Sequence, residues 1–399
     1  METLRMGGRV KTLTPRPART VRVAPCGIVS DLPDSPSAGD AAMGTHLRSD
    51  EMLAALRRAA PGTPLRAGIE RIMSARMGAL IVVGSGPEVL SVCSGGFLLD
   101  AEFTPPRLSE LAKMDGAIIL SDDCSRIVRA NVHLVPDPNI PTSETGTRHR
   151  TAERVARQIR VPVITISEDR SEVAVHVSGE KKMLEPTPRV LARADQALQI
   201  LERYKTRLDA VSTALSALEV EDLVTVRDVA TVLQRAEMVR RIAEEIEGYV
   251  IELGTDGRLV LLQLEELMGG VEDDRRLVAK DYFTADPEWG LGDVLTRLAR
   301  LDDDTLLELD QVASGLHLPR PLDLDSAVQP RGFRLLHKIP RLPELVSDHV
   351  VEQFSNLQKI MRASAADLTE VEGVGEARAR AIKEGLARLA ETSILERYT

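Results

Sequence analysis

Arg148, His149 and Arg150 stand together at the head of "TRHRTAERVA", in which Ala152, Val155, Ala156 and Ile159 recur at helical spacing and give one apolar face. The start of a helix carries partial positive charge and unpaired N–H donors, so it favours acidic residues. Three potential cations there are unfavourable unless an anion joins them. Gly146-Thr147 offers an entrance to the helix, with Thr147 a candidate cap. Phosphate meets the requirement, because arginine forks bind it in bidentate fashion and the helix start adds oriented donors. A triphosphate would therefore turn the cluster favourable; an exposed cationic patch is the plainer alternative. About thirty residues earlier, Asp115-Gly116 leads into the apolar run "AIIL". A lone carboxylate beside a polyphosphate suits Mg²⁺ or Mn²⁺, which takes one or two carboxylates and completes its shell with phosphate and water. Glycine at that place lets a backbone approach a ligand closely, although an ordinary Asp-Gly turn would use the same pair.

Composition limits what else the chain can be. Its 399 residues exceed one ordinary domain, so two or three are expected. With 43% hydrophobic and 28% charged residues it has a soluble globular profile, and only 3% aromatics leaves the cores to Leu, Val, Ile and Ala. A formal net charge of −10 argues against a generally basic surface, so any nucleic-acid contact must be local or made by backbone donors. Cys26, Cys93 and Cys124 show no C-x-x-C spacing, which points to reduced thiols in a cytosolic protein. No apolar run approaches the roughly 20 residues of a membrane span. No Walker-type phosphate loop, Ser-His-Asp set or zinc cluster is present, and His133 and His176 read as structural residues of strands. Residues 1–42 mix arginines with prolines and lack an apolar signal core. Their composition admits an organellar transit peptide; a disordered tail, or a translation start at Met43, is the simpler account.

From Asp50 the pattern is an alternation of elements. Two helices precede "GALIVVG", a buried strand stopped by Gly84-Ser85-Gly86-Pro87. "VLSVCSGG" reads as a strand, "PRLSELAKM" as a helix, and "GAIILS", "RIVRANVHLV", "VPVITIS" and "EVAVHVSG" as further strands. The expected fold class is an α/β N-terminal domain with a central mixed β-sheet flanked by helices, over residues 43–186. After Pro186 and Pro188 a long helix begins, and an all-α linking domain is expected over 187–329. Its charge-rich pieces "VEDDRRLVAKDY" and "RLDDDTLLELD" read as solvated helix faces.

Residues 330–399 contain two related pieces, "LLHKIPRLPELVSDHVVEQF" and "LTEVEGVGEARARAIKEGL". The second fits a helix-hairpin-helix. Gly373-Val374-Gly375 forms the hairpin, and Val371, Ala377, Ala381 and Ile382 are the expected packing residues. The glycines allow the turn and a close approach, and the amides opening the following helix make a site for a DNA phosphate, with Arg378, Arg380 and Lys383 flanking it. A plain glycine turn between packed helices is the alternative. In the first piece "IPRLP" replaces the glycine hairpin, and Pro343 removes a donor.

Asp115-Gly116-Ala117 followed by Gly146 to Glu153 ("GTRHRTAE") resembles the paired "DGA" and "RHR" signatures of the diadenylate cyclase domain, and the intervening "NVHLVPDPNIPTSETG" is similar too. With the helical middle and the hairpins, the chain from about Met43 onward resembles the bacterial DNA integrity scanning proteins. The resemblance implies condensation of two ATP molecules into cyclic di-AMP with release of two pyrophosphates, where two cyclase domains face each other within a homo-octamer. It implies that Asp115 holds Mg²⁺ or Mn²⁺, that Gly116 lets the nucleotide lie against a strand, and that Thr147, Arg148, His149 and Arg150 grip the triphosphate. His149 is left between phosphate and metal. Thr151, Leu134 and Ser167 are the further ATP contacts, with Gly373, Val374, Gly375, Arg378, Arg380 and Lys383 on DNA. Branched, junction-like DNA is the implied partner and inhibitor, in the bacterial cytoplasm at the nucleoid. A DNA-binding scaffold that binds nucleotide without cyclising it is the alternative, and the intact Asp115 and Arg148-His149-Arg150 count against it.

Overall fold

In a computed structural model the described residues are 49–168, 172–284, 289–318 and 323–397, with side chains as far as 392. The expected extension over 1–42 lies outside them. Helix α1 (Asp50–Arg58) starts at Ser49, whose hydroxyl accepts the Met52 N–H at 3.2 Å, and has Asp50 and Glu51 in its first turn. Helix α2 (Pro64–Ser74) starts on Thr63 with Pro64 in its first turn. There follow β1 (Ala79–Val83), α3 (Pro87–Ser91), β2 (Cys93–Ser94), β3 (Phe97–Glu102), α4 (Pro105–Leu111), β4 (Ala117–Leu120), β5 (Arg126–Leu134), α5 (Thr147–Ile159), β6 (Val163–Ile166), β7 (Val173–Val177) and β8 (Glu180–Leu184).

The strands form one mixed sheet in the order β2-β5-β4-β1-β6-β7-β8, with β3 also paired to β5. Among the described strands only β1 and β4 run parallel. Helices cover both faces. Leu56, Leu65, Ile69, Ile72 and Leu108 pack on Ile81, Val83, Ile118 and Ile164. On the other face Ala152, Val155, Ala156 and Ile159 of α5 pack on Leu80, Val82, Ile119 and Val163. A strand buried on both faces reads as a continuous apolar run, which is why "ALIVV" lacks alternation.

Three local expectations need correction. The first half of "VLSVCSGG" is helix α3, because Pro87 is tolerated in a helical first turn behind Gly86. Strands β3 and β8 were not expected. β3 has a register shift between Leu98 and Ala101, with Asp100 at φ 43°, so its alternation is broken. β8 is an edge strand carrying Glu180, Lys181 and Lys182, a composition that hides it among loops.

Beyond the sheet the described chain is helical: α6 (Thr187–Glu221), α7 (Val226–Leu253), α8 (Arg258–Met268), α9 (Val271–Tyr282), α10 (Leu291–Arg300), α11 (Asp303–Leu307) and α12 (Leu309–Ser314). Leu201, Leu208 and Leu215 of α6 pack with Val229, Leu233, Val239 and Ile246 of α7. Thr225 and Asp228 form a capping box that starts α7. The expectation of solvated charge on "VEDDRRLVAKDY" fails for α9, where Arg275, Asp281 and Tyr282 are buried. Arg275 pairs with buried Glu237 at 2.9 Å.

The C-terminal region contains α13 (Phe333–His337), α14 (Glu344–Phe354), α15 (Leu357–Arg362), α16 (Ala365–Thr369) and α17 (Glu376–Arg397). Its two hairpins share a backbone shape despite unlike sequences. Leu342 N–H donates to the Ile339 carbonyl at 3.3 Å, and Val374 N–H to the Val371 carbonyl at 3.0 Å. Arg341 and Gly373 take the same place with φ of 63° and 80°. Ile339, Val350, Val371, Val374, Ala379 and Ile382 belong to one core. Ala379 is the buried alanine after the second hairpin, while Ala377 is exposed and Ala381 half-buried, which corrects the packing expected from sequence.

Candidate functional site

One edge of the sheet gathers residues from four strands. Leu80 pairs with Ala117, Ala117 with Val132, and Ala79 with Ile166. Extending these registers by one or two residues aligns Leu134, Asp115, Gly78 and Ser167 in a row, with neighbours roughly 4.8 Å apart. Ser167 continues the row by donating its N–H to the Glu172 carbonyl at 2.9 Å. Asp115 is exposed there, whereas the Leu134 side chain turns into the core beneath α5, so only its backbone stands at the edge.

Helix α5 opens over the same edge. Gly146 is its cap residue and supplies no side-chain bond, and no acidic residue lies in the first turn. Thr147 is thus the first helical residue and not the cap expected from sequence. The loop before α5 is tied to the helix it precedes. Glu153 accepts from the Thr142 hydroxyl at 2.5 Å and the Ser143 N–H at 3.2 Å, and pairs with Arg157 at 2.7 Å. Burial would raise the Glu153 carboxyl, but Thr142, Arg157 and the Ser143 and Glu144 amides together hold it below its usual value. Arg154 and Arg157 donate to the Ile140 and Pro141 carbonyls at 2.9 and 2.7 Å.

The arginines and histidine diverge from that turn. The Arg148 guanidinium lies against Gly78, where a β-carbon would overlap its Nη1 and come within 2.9 Å of Cζ. Gly78 is the position next to Asp115 in the row. His149 Nδ1 is 3.1 Å from Thr165 Oγ1, and Thr165 Oγ1 is 3.5 Å from His176 Nε2. Arg150 is exposed and Thr151 half-buried. At Gly116 a β-carbon would lie 2.7 Å from Cα and C of Asn131. The Asn131 backbone, at φ 53° beside a register shift, occupies that space.

Through Arg148 on Gly78 and His149 on Thr165, the opening turn of α5 is joined to the strands whose ends carry Asp115 and Ser167. Gly78, Asn131 and Thr165 escaped sequence reasoning, which gave His176 only a structural place in a strand. Thr165 and His176 left a faint signal, as polar residues inside "VITI" and "VAVHV". Gly78→Ala should push the Arg148 guanidinium out of place and lower turnover of a triphosphate substrate about a hundredfold in kcat/KM. A value near that of the unsubstituted chain would show that the contact is incidental.

Burial, reinforced by the charge of Lys181, drives the His176 imidazole down from 6.5 to about 4. Between those values the folded chain binds fewer protons than the unfolded chain. This contribution to stability is complete above pH 6.5 and is lost as pH falls to about 4, amounting to about 3 kcal/mol. Denaturant unfolding across that window should show a shallower pH dependence in His176→Leu; an unchanged slope would contradict the assignment.

No group of three or more His, Cys, Asp or Glu suited to a metal occurs among the described residues. The donor set at the edge, one exposed carboxylate beside cationic side chains, fits a hard divalent cation delivered with phosphates.

The hairpin residues lie in the other region of the chain. Gly375 has open space where a β-carbon would point, and Arg380 is exposed. The Val374 side chain is in the core, so only its backbone faces outward. Arg378 donates to the Gly373 carbonyl at 2.6 Å, closing the hairpin on itself. Lys383 donates to the Met361 carbonyl at 2.8 Å.

Residues 66–181 match the family described as the DisA bacterial checkpoint controller nucleotide-binding region, and residues 184–323 match the linker region of the same controller. The chain is 57% identical to the DNA integrity scanning protein DisA of Streptomyces coelicolor over 351 residues, which cover 87% of this chain and 94% of that protein. It is 59% identical over 341 residues to the protein of that name from Kineococcus radiotolerans, covering 85% and 95% of the two chains. Among solved structures, DacA from Staphylococcus aureus aligns with 33% of this chain and 85% of its own at 20% identity, with a TM-score of 0.24, too partial a likeness to carry an argument.

Proposed function

The chain belongs to the family of bacterial DNA integrity scanning proteins, and from that membership we propose that it condenses two ATP molecules into cyclic di-AMP at a site shared by two facing subunits. The observation that carries the reading is the sheet edge at which Asp115, Arg148 over Gly78, Ser167 and the opening turn of α5 meet. Each 3′-hydroxyl attacks the α-phosphorus of the opposite ATP, a P–O bond to pyrophosphate breaks, and the hydroxyl proton is released. One edge holds one triphosphate, so the reciprocal attack needs two edges face to face, here within a homo-octamer.

Asp115 is the residue that would hold Mg²⁺ or Mn²⁺, and the metal supplies a lowered pKa at the attacking hydroxyl together with neutralisation of phosphate charge. The protein's own groups do the positioning. The first-turn amides of α5 and the hydroxyls of Thr147, Thr151 and Ser167 orient the nucleotide, with the Leu134 backbone at the adenine end. Arg148, His149 and Arg150 meet the negative charge that grows on the phosphates as the α-phosphorus is attacked.

At the other end, the two hairpins act as a tandem helix-hairpin-helix that grips the backbone of branched DNA. The amides after Gly373-Val374-Gly375 would meet a phosphate, with Arg380 alongside. Junction DNA bound there lowers cyclisation through the helical region. Incubation of the chain with ATP and Mn²⁺, followed by mass spectrometry, should yield cyclic di-AMP, and added junction DNA should slow it. ATP binding without product would favour the scaffold alternative, and a rate indifferent to junction DNA would remove the regulatory half.

A further inference from the structure

The side of β6 and β7 that faces α5 is apolar at Val163 and Ala174 but polar at Thr165 and His176, both buried. A buried hydroxyl or imidazole is unfavourable unless hydrogen-bonded, and valine or leucine would fill the same space without that penalty. These two residues are instead in line with the opening turn of α5. His176 Nε2, Thr165 Oγ1 and His149 Nδ1 follow one another at 3.5 and 3.1 Å, with the two imidazole centres 6.5 Å apart.

The outer end of the line fixes its direction. His176 Nδ1 is buried and has no hydrogen-bond partner among the described residues. A lone pair tolerates that isolation better than an N–H does, since orphaned buried donors are the rarer defect. The ring is held neutral by its burial, so its single proton sits on Nε2. Nε2–H then donates to Thr165 Oγ1, and the arrangement that also uses the hydroxyl proton of Thr165 within the line has it donate to His149 Nδ1. His149 accepts at Nδ1 only if its own proton is on Nε2, on the side of the ring away from Thr165.

We infer that Thr165 and His176 are positioning residues that hold His149 as the Nε2–H tautomer, so that His149 donates a hydrogen bond to a triphosphate oxygen and is not a metal ligand. A metal would require a lone pair at that outward nitrogen. The inference rests on the cyclase reading for its ligand and deepens it by deciding between the two roles open to His149.

The test is calorimetric binding of 3′-deoxy-ATP, which cannot cyclise, to the full chain in EDTA and in Mn²⁺. Thr165→Val keeps the shape of the side chain and removes the hydroxyl; Thr165→Ser keeps the hydroxyl. Thr165→Val should weaken binding about tenfold, by the same factor in both buffers, as expected for one hydrogen bond to a charged group. Thr165→Ser should restore affinity to within about twofold. A loss seen in Mn²⁺ alone would make His149 a metal ligand and overturn the inference, as would unchanged affinity in Thr165→Val, and both results leave the cyclase reading standing. Failure of the unsubstituted chain to bind the nucleotide in either buffer would overturn both.

Discussion

Asp115→Asn is expected to lower cyclic di-AMP formation about a thousandfold, roughly 4 kcal/mol of transition-state stabilisation. Asparagine keeps the size of the side chain but removes the negative charge that draws a divalent cation to the sheet edge. Asp115 is exposed, precedes β4 and holds no core contact together, so the substitution should leave the fold intact. Its neighbours sharpen the expectation. Arg148 against Gly78 adds positive charge to the edge, and nothing in that charge could stand in for the missing carboxylate. Product measured by mass spectrometry at saturating ATP and Mn²⁺ gives the effect, while binding to junction DNA should be unchanged. Full activity in the variant would refute the metal-holding role of Asp115, and lost DNA binding would show that the substitution acts on the fold.

Arg334→Met is expected to destabilise the protein by about 3–5 kcal/mol, the range found when one partner of a buried ion pair is removed. Arg334 and Glu219 are both almost wholly inaccessible to solvent, and their side chains meet through two contacts, 2.7 Å from Nη2 and 3.2 Å from Nε. The guanidinium also donates to the Ser212 carbonyl at 3.2 Å and the Ser216 hydroxyl at 2.9 Å. Tyr282 donates its hydroxyl to Glu219 at 2.9 Å. Alongside, Asp281 accepts the N–H groups of Gly332, Phe333 and Arg334 at 2.7, 2.8 and 2.8 Å. Burial pushes the Asp281 carboxyl up to about 7, aided by the charge of Glu219 and opposed by those amides. This joint fastens α13 to α6 and α9, the attachment of the hairpin region to the linking helices. Methionine would leave the Glu219 charge buried without its partner. Urea unfolding of the single variant and of Arg334→Met/Glu219→Leu separates the pair from the packing, since the double variant should regain most of the loss. A double variant no more stable than the single one would mean that the charge pair is not the source of the effect.

Much of this was legible in local sequence. The helical period of "TAERVARQI" and the long breaker-poor run of α6 depend on residues a few positions apart, and those elements formed as expected. Strands β3 and β8 were not legible, because a bulge in one and edge charge on the other erase the two-residue period. The charges of α9 misled for a related reason. Arg275 and Asp281 look like a solvated face until Glu237 and the α13 amides arrive from distant parts of the chain.

The sequence by itself determined the kinds of group available: a carboxylate before a strand, two arginines and a histidine on a helix start, and a glycine hairpin near the C-terminus. It also determined the order of sheet, linking helices and hairpins, since periodicity and breakers act over one or two turns. Tertiary structure alone decided what those groups face. Gly78 accommodates a guanidinium from residue 148, Gly116 accommodates the backbone of Asn131, and Thr165 and His176 run beneath His149. These contacts join residues far apart in the chain, where strand register and helix docking set the distance and no spacing rule applies. The same docking decides which charges are buried, and so which of them hold the molecule together and which remain to meet a ligand.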